Sequence, residues 1–295
     1  MKRQTSAQRD SRLDRALAGA LPPPQLPPGF HPRLQRARQA LDTEKRSGLK
    51  RPAAAVSPPS PAVRGVVVND GALEAIKWLA LVLMTGDHIN KYLLGGQVHA
   101  LYAAGRLVFP LFAVVFAYNL ARPGALASGA YQRAIKRLAV IGALASVPFI
   151  GLGGLLYGWW PLNILASFLL SAAVMYLVER GGVARRGLAA LLFLAGGLFV
   201  EFWWPGIAMT LAAWCYVRRP STGALLTWIA ATAALSFIPW LLARVPIALG
   251  LLSLAALPVI ALAARLQLRV PRLRWAFYAY YPAHLAVLWA MQHLQ

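Results

Sequence analysis

From Gly71 onward, long apolar runs alternate with short polar breaks. Nine runs stand out, at 72–94, 100–120, 137–156, 161–178, 187–200, 203–217, 221–241, 245–264 and 273–293. Crossing about 30 Å of hydrocarbon takes about 20 residues of helix at about 1.5 Å rise each. Most of these runs come near that length. The runs 187–200 and 203–217 are short and flank Glu201 and the break Trp204-Pro205-Gly206, so eight crossings is the alternative count. The pattern predicts an all-α, polytopic transmembrane helix bundle of about nine spans.

Most basic residues fall in alternate breaks. Arg122, Arg133, Lys136 and Arg137 lie between the second and third runs, and Arg180, Arg185 and Arg186 between the fourth and fifth. Arg218 and Arg219 follow the sixth, and Arg265, Arg269, Arg272 and Arg274 precede the last. The intervening breaks carry Trp, Tyr and Pro instead, as in Tyr157-Gly-Trp-Trp-Pro161. Lys and Arg are retained on the cytoplasmic side of a membrane. The expectation is therefore a multi-pass protein of the bacterial inner membrane, with a cytoplasmic N-terminus and a periplasmic C-terminus.

Composition supports a lipid solvent for residues 71–295. The chain is 59% hydrophobic and 13% charged, where a soluble domain is about one quarter charged. Beyond residue 70 only four carboxylates remain, Glu74, Asp87, Glu179 and Glu201. Residues 1–70 read as a separate, basic, Pro-rich and largely disordered cytoplasmic tail, with a short basic helix at 32–47 and no recognisable signal peptide. A net charge of +21 invites a nucleic-acid reading. The basic residues beyond position 70 sit mostly between apolar runs rather than on a folded solvated face, so the expected partner is the lipid bilayer and not nucleic acid. Cys215, the single cysteine, rules out an internal disulfide and reads as a packed core thiol.

Charged groups in hydrocarbon are expensive, so each one retained there points to pairing or function. The first run carries Lys77 and ends in Thr85-Gly-Asp-His-Ile-Asn-Lys91, which places Asp87 and Lys91 one helical turn apart. His99, Tyr102 and Arg106 recur at spacings of three and four at the start of the second run. Glu201 ends the fifth, and Tyr280, Tyr281 and His284 form a one-turn polar stripe in the last. Asp87, His88, Arg106, Glu201 and His284 are expected to converge. A histidine beside carboxylates can take a proton from an amine or hydroxyl, and an arginine can hold an oxyanion or phosphate. No Ser, Cys or Lys nucleophile is evidently paired with histidine, so direct transfer to an acceptor fits better than a covalent enzyme intermediate. No HExxH-like signature is present and no metal is expected.

These residues carry a resemblance. Ala75-Ile-Lys-Trp-Leu-Ala-Leu-Val-Leu-Met-Thr-Gly-Asp-His-Ile-Asn-Lys91 resembles the opening of the TraX family, whose members include the enzyme that acetylates the N-terminus of conjugative F-type pilin. The likeness continues through Ala104-Gly-Arg-Leu-Val-Phe-Pro-Leu-Phe112, Tyr118-Asn-Leu-Ala-Arg122, the region of Asn163, and Tyr278-Ala-Tyr-Tyr-Pro-Ala-His-Leu285. It covers about 225 residues and leaves the tail outside. The family is distantly similar to membrane acyltransferases that modify surface glycans. The resemblance implies His88 as base, Asp87 as its partner or organiser, Arg106 as a donor or oxyanion contact, and His284 as a site-lining residue. It also implies acetyl-CoA as acyl donor and a peptide or glycan as acceptor. Lys77, Lys91, Tyr102, Asn163, Glu201, Tyr280 and Tyr281 are the expected substrate contacts, with Lys77 and the basic break at 133–137 suited to the phosphates of the donor. A proton-coupled transporter and a non-catalytic scaffold for surface-fibre assembly are the competing readings.

Overall fold

A computed structural model describes residues 68–273 and 275–294. The tail at 1–67, including the helix expected at 32–47, lies outside the described residues. Each apolar run becomes helical. In order, the helices are α1 (Asp70–Tyr92), α2 (His99–Gly105), α3 (Val108–Ala121), α4 (Ala130–Gly151), α5 (Ile164–Arg180) and α6 (Val183–Gly196). Then come α7 (Trp203–Arg218), α8 (Thr222–Ala234), α9 (Phe237–Ala243) and α10 (Ile247–Gly250). A 3-10 turn (Leu251–Ala255) leads into α11 (Ala256–Arg265), and α12 (Ala276–His293) closes the chain. Among the described residues the only β pairings are two isolated bridges, Tyr157 with Trp160 and Leu162 with Val200.

The all-α class stands, but the count of nine spans, or eight, does not. Four helical stretches among the described residues are long and apolar enough to cross a membrane: His99–Ala121, Ala130–Gly151, Thr222–Ala243 and Ile247–Arg265. Helices α5, α6 and α7 have 17, 14 and 16 residues. At about 1.5 Å per residue they fall short of about 30 Å of hydrocarbon. Helix α1 has the length, 23 residues, but carries Asp70, Glu74, Lys77, Asp87 and Lys91. Helix α12, with 18 residues, is diluted by tyrosine and histidine. Helix ends do not follow the ends of the runs: α5 begins three residues into its run, and α6 stops at Gly196, four residues before its run does. The orientation inferred from nine crossings falls with the count.

Helix α3 is the centre of the bundle and lies against α1 and α7. Its side chains from Val108 to Leu111 and from Ala113 to Val115 are buried. Helix α7 packs on α8 and α5 as well, and α12 packs on α4 and returns to α1. Small residues set the spacing, as expected where helices associate by close packing rather than by escape from water. A Cβ on Gly206 would lie 2.5 Å from Phe202 and 3.1 Å from Phe109. Buried hydroxyls are satisfied locally: Ser171, Thr210 and Thr232 each donate to the carbonyl four residues back. Cys215 corrects the core-thiol expectation. It is exposed on α7 while its neighbours Trp214 and Tyr216 are buried, because in a run apolar on every face composition does not say which face is inward.

Asn163 joins three elements. Its side-chain oxygen caps α5 by accepting from the Leu165 amide at 3.0 Å, and its amide donates to Gly142 O and Ser146 Oγ, both at 2.9 Å. The residue is 1% exposed, so water has no route to replace these bonds. Asn163→Ala is expected to lower stability by roughly 1–3 kcal/mol, from the lost cap and the buried partners left unpaired. A thermal melt of purified protein in detergent would measure it, and an unchanged melt would contradict the assignment.

Candidate functional site

Two histidines from opposite ends of the membrane segment meet at the centre of the site. His88 Nδ1 and His284 Nε2 are 2.7 Å apart, although 196 residues separate them. Their ring centroids are 5.0 Å apart with 8° between the planes. With a 2.7 Å nitrogen contact, that separation leaves only one ring radius on either side of the bond. The rings therefore lie edge to edge in nearly one plane, joined in line rather than stacked face to face. The second nitrogen of His284, Nδ1, sits 2.9 Å from the carbonyl of Tyr280.

This chain of contacts assigns the protons. A carbonyl only accepts, so His284 Nδ1 carries a hydrogen and donates to Tyr280 O. In the neutral ring its Nε2 is then an acceptor, so His88 Nδ1 is the donor between the rings. His88 Nε2 is left with its lone pair, the form a general base requires. His284 acts as the group that selects the tautomer. Its ring is fixed by Tyr280 at 5.0 Å and Tyr281 at 5.4 Å, and that of His88 by Tyr92 at 5.8 Å.

Asp87 faces α2 instead. Its carboxylate pairs with Arg106 at 3.8 Å, while Lys91, one turn along the same helix, contacts Tyr92 Oη at 3.1 Å. Arg106 also lies over the Tyr102 ring at 4.3 Å. Gly105 makes this approach possible: a Cβ there would lie 2.3 Å from Asp87 Oδ1 and 2.8 Å from Asp87 Cβ. Glu201 completes the group, within electrostatic range of Lys91, Asp87 and Arg106. Its backbone is tied to α5, since Ser167 Oγ donates to its carbonyl and its own amide donates to Leu162 O at 2.9 Å. The next two residues, Phe202 and Trp203, have φ of 64° and 42°, a left-handed turn that bulky side chains rarely adopt. That turn starts α7 directly behind the carboxylate.

A cavity of about 470 Å³ adjoins the histidine pair. Tyr280 and Tyr281, the two rings against His284, form part of its wall together with Met84 and Leu81 of α1. Tyr280 Oη is 2.6 Å from Thr85 Oγ1, and Thr85 Oγ1 is 2.8 Å from Leu81 O. Thr85 has one hydrogen; with it on the carbonyl, Tyr280 donates to Thr85. Five cations also line the cavity: Lys77, Arg122, Arg133, Arg137 and Arg272. Glu74 holds Lys77 at 2.6 Å and Arg272 at 3.7 Å, and Asp70 pairs with Arg122. Arg137 lies over Trp275 at 5.3 Å.

The residues singled out from sequence thus fall into two linked groups. Asp87, His88, Lys91, Tyr102, Arg106, Glu201 and His284 make the polar cluster, while Lys77, Tyr280 and Tyr281 line the cavity. Asp87, His88, Arg106 and His284 are not themselves in the cavity wall; the tyrosines stand between. Asn163 is committed to the cap of α5. Sequence reasoning passed over Thr85, Tyr92 and Gly105. Tyr92 stands one turn from His88 and Thr85 one turn before it, so helical spacing was the available signal. Among the described residues no group of three His, Cys, Asp or Glu side chains is placed to hold a metal ion.

Residues 72–292 match the family described as TraX protein. The chain is 36% identical over 132 residues to Protein TraX of Escherichia coli, covering 45% of this chain and 50% of that one. It is 36% identical over 131 residues to Protein TraX of Escherichia coli strain K12, covering 44% and 49%. In each alignment the chain spans about half the length of the curated relatives it matches. No solved structure matches. With the match running from the first turn of α1 to the last turn of α12, across both histidines, the chain belongs to the TraX family.

Proposed function

We propose that this protein is a membrane-embedded acyltransferase of the bacterial inner membrane, moving an acetyl group from acetyl-CoA to an amine or hydroxyl of a peptide or surface-glycan acceptor. The observation that carries the reading is the in-line pair of His88 and His284, which leaves His88 Nε2 as a free base, with a cation-lined cavity on the far side of Tyr280 and Tyr281. As the acceptor nitrogen or oxygen attacks the thioester carbonyl, its proton passes to His88 Nε2. The new bond turns that carbonyl oxygen into an oxyanion, for which Arg106, already steered by Asp87, is the cationic donor we assign. When the oxyanion collapses, the carbon–sulfur bond breaks, and the departing thiolate takes the proton from His88. No acyl-enzyme is required. Lys77, Arg133, Arg137 and Arg272 supply the charge that phosphates of a donor need.

The test is transfer of labelled acetyl from acetyl-CoA by the purified full chain in lipid nanodiscs, offered small peptide amines and glycan fragments as acceptors. Asp87→Asn keeps the shape of the pair but removes its charge, and is expected to reduce transfer while the thermal melt stays near that of the parent. Proton-coupled uptake of a solute with no transfer under any of these conditions would overturn the enzyme reading.

A further inference from the structure

A second cavity, of about 670 Å³, adjoins the first. The two share Leu120 and Arg122 in their walls, so Arg122 stands at the junction. Its terminal nitrogen pairs with Asp70, while its Nε is buried and has no hydrogen-bond partner among the described residues. The far chamber is bounded by the break Pro123–Gly129 and by Glu179, Arg180 and Arg218. Glu179 neutralises Arg218 through a close ion pair. Arg180 has no carboxylate within ion-pair distance among the described residues, and its guanidinium lies 5.8 Å from the Tyr176 ring. Uncompensated cations thus occur in both chambers: Arg133 and Arg137 in the near one, Arg180 in the far one, and a buried donor of Arg122 between them.

Such a layout suits a ligand with phosphoryl groups at two separated places. We infer that the far chamber seats the nucleotide end of the acyl donor, with Arg180 on its 3′-phosphate, while the near chamber takes the diphosphate and leads the thioester toward Tyr280 and the histidines. This rests on the acyl-CoA reading above. The direction follows from the walls. Only the near chamber reaches the tyrosines that touch His284, and in an acyl-CoA the thioester and the 3′-phosphate are opposite ends of the molecule.

Binding of CoA and of 3′-dephospho-CoA to the purified full chain separates the possibilities without knowledge of the acceptor. CoA is expected to bind about tenfold or more tightly than the dephospho form, the worth of one charge-assisted phosphate contact. Arg180→Gln should abolish that preference by weakening CoA alone. Arg133→Gln should weaken both forms alike, because both carry the diphosphate. Equal binding of the two forms to the parent, or a preference that survives Arg180→Gln, overturns the far-chamber assignment and leaves the acyltransferase reading standing. Binding of neither form overturns both.

Discussion

Replacing His88 by alanine is expected to reduce acetyl transfer by about 10²- to 10⁴-fold, the range a positioned general base contributes. The expectation follows from the hydrogen bookkeeping of the pair. Tyr280 O compels His284 Nδ1 to donate, His284 Nε2 then accepts from His88 Nδ1, and the remaining lone pair is on His88 Nε2. His284 has no such lone pair to offer, so His284→Ala should cause a smaller loss, and His284→Gln, whose side-chain oxygen can still accept from His88 Nδ1, should recover part of it. Single-turnover rates with saturating donor would read the chemical step directly. Donor affinity should barely change in any of the three variants, because neither histidine lines the cavity. Equal losses for His88→Ala and His284→Gln would count against the assignment of His88 as base.

The largest structural effect is expected at Gly105. An alanine Cβ there would lie 2.3 Å from Oδ1, 2.4 Å from Cγ and 2.8 Å from Cβ of Asp87. Since the conflict reaches Asp87 Cβ, rotating the carboxylate does not relieve it, and α2 must move away from α1. Overpacking of this kind costs about 1–3 kcal/mol. Here the displacement also stretches the contact between Asp87 and Arg106, which at 3.8 Å has no slack. Gly105→Ala should therefore lower both the thermal midpoint and the transfer rate. Gly187 and Gly223 are the controls: an added Cβ meets nothing within 4 Å at either, so alanine there should be tolerated. A Gly105→Ala protein with parental melting and activity would show that α2 does not need its close approach.

Much of the site was legible along α1. Asp87, His88 and Lys91 announce themselves as polar residues in an apolar run, and the one-turn spacing of Tyr280, Tyr281 and His284 marks a stripe on α12. Sequence offered Asp87 two cations, Lys91 one turn along the same helix and Arg106 of the neighbouring segment; the structure pairs it with Arg106, while Lys91 turns to Tyr92. The cationic wall was only half visible. Lys77 and the basic break at 133–137 could be proposed from position, but Arg122 and Arg272 join them through folding.

Helix formation, the apolar surroundings and family membership were determined by the sequence alone, because they rest on local composition and on residue identities in order. The number of membrane-crossing helices, the outward face of Cys215 and the partners of each buried charge were decided by tertiary structure. A helix ends where capping and packing end it rather than where an apolar run does: α5 begins at the Asn163 cap, inside its run, and α6 begins four residues before its run and stops four residues before the run ends. Helical periodicity says which residues share a face, but not which helix that face meets. The bond between His88 and His284, across 196 residues, exists only because α12 packs back on α1.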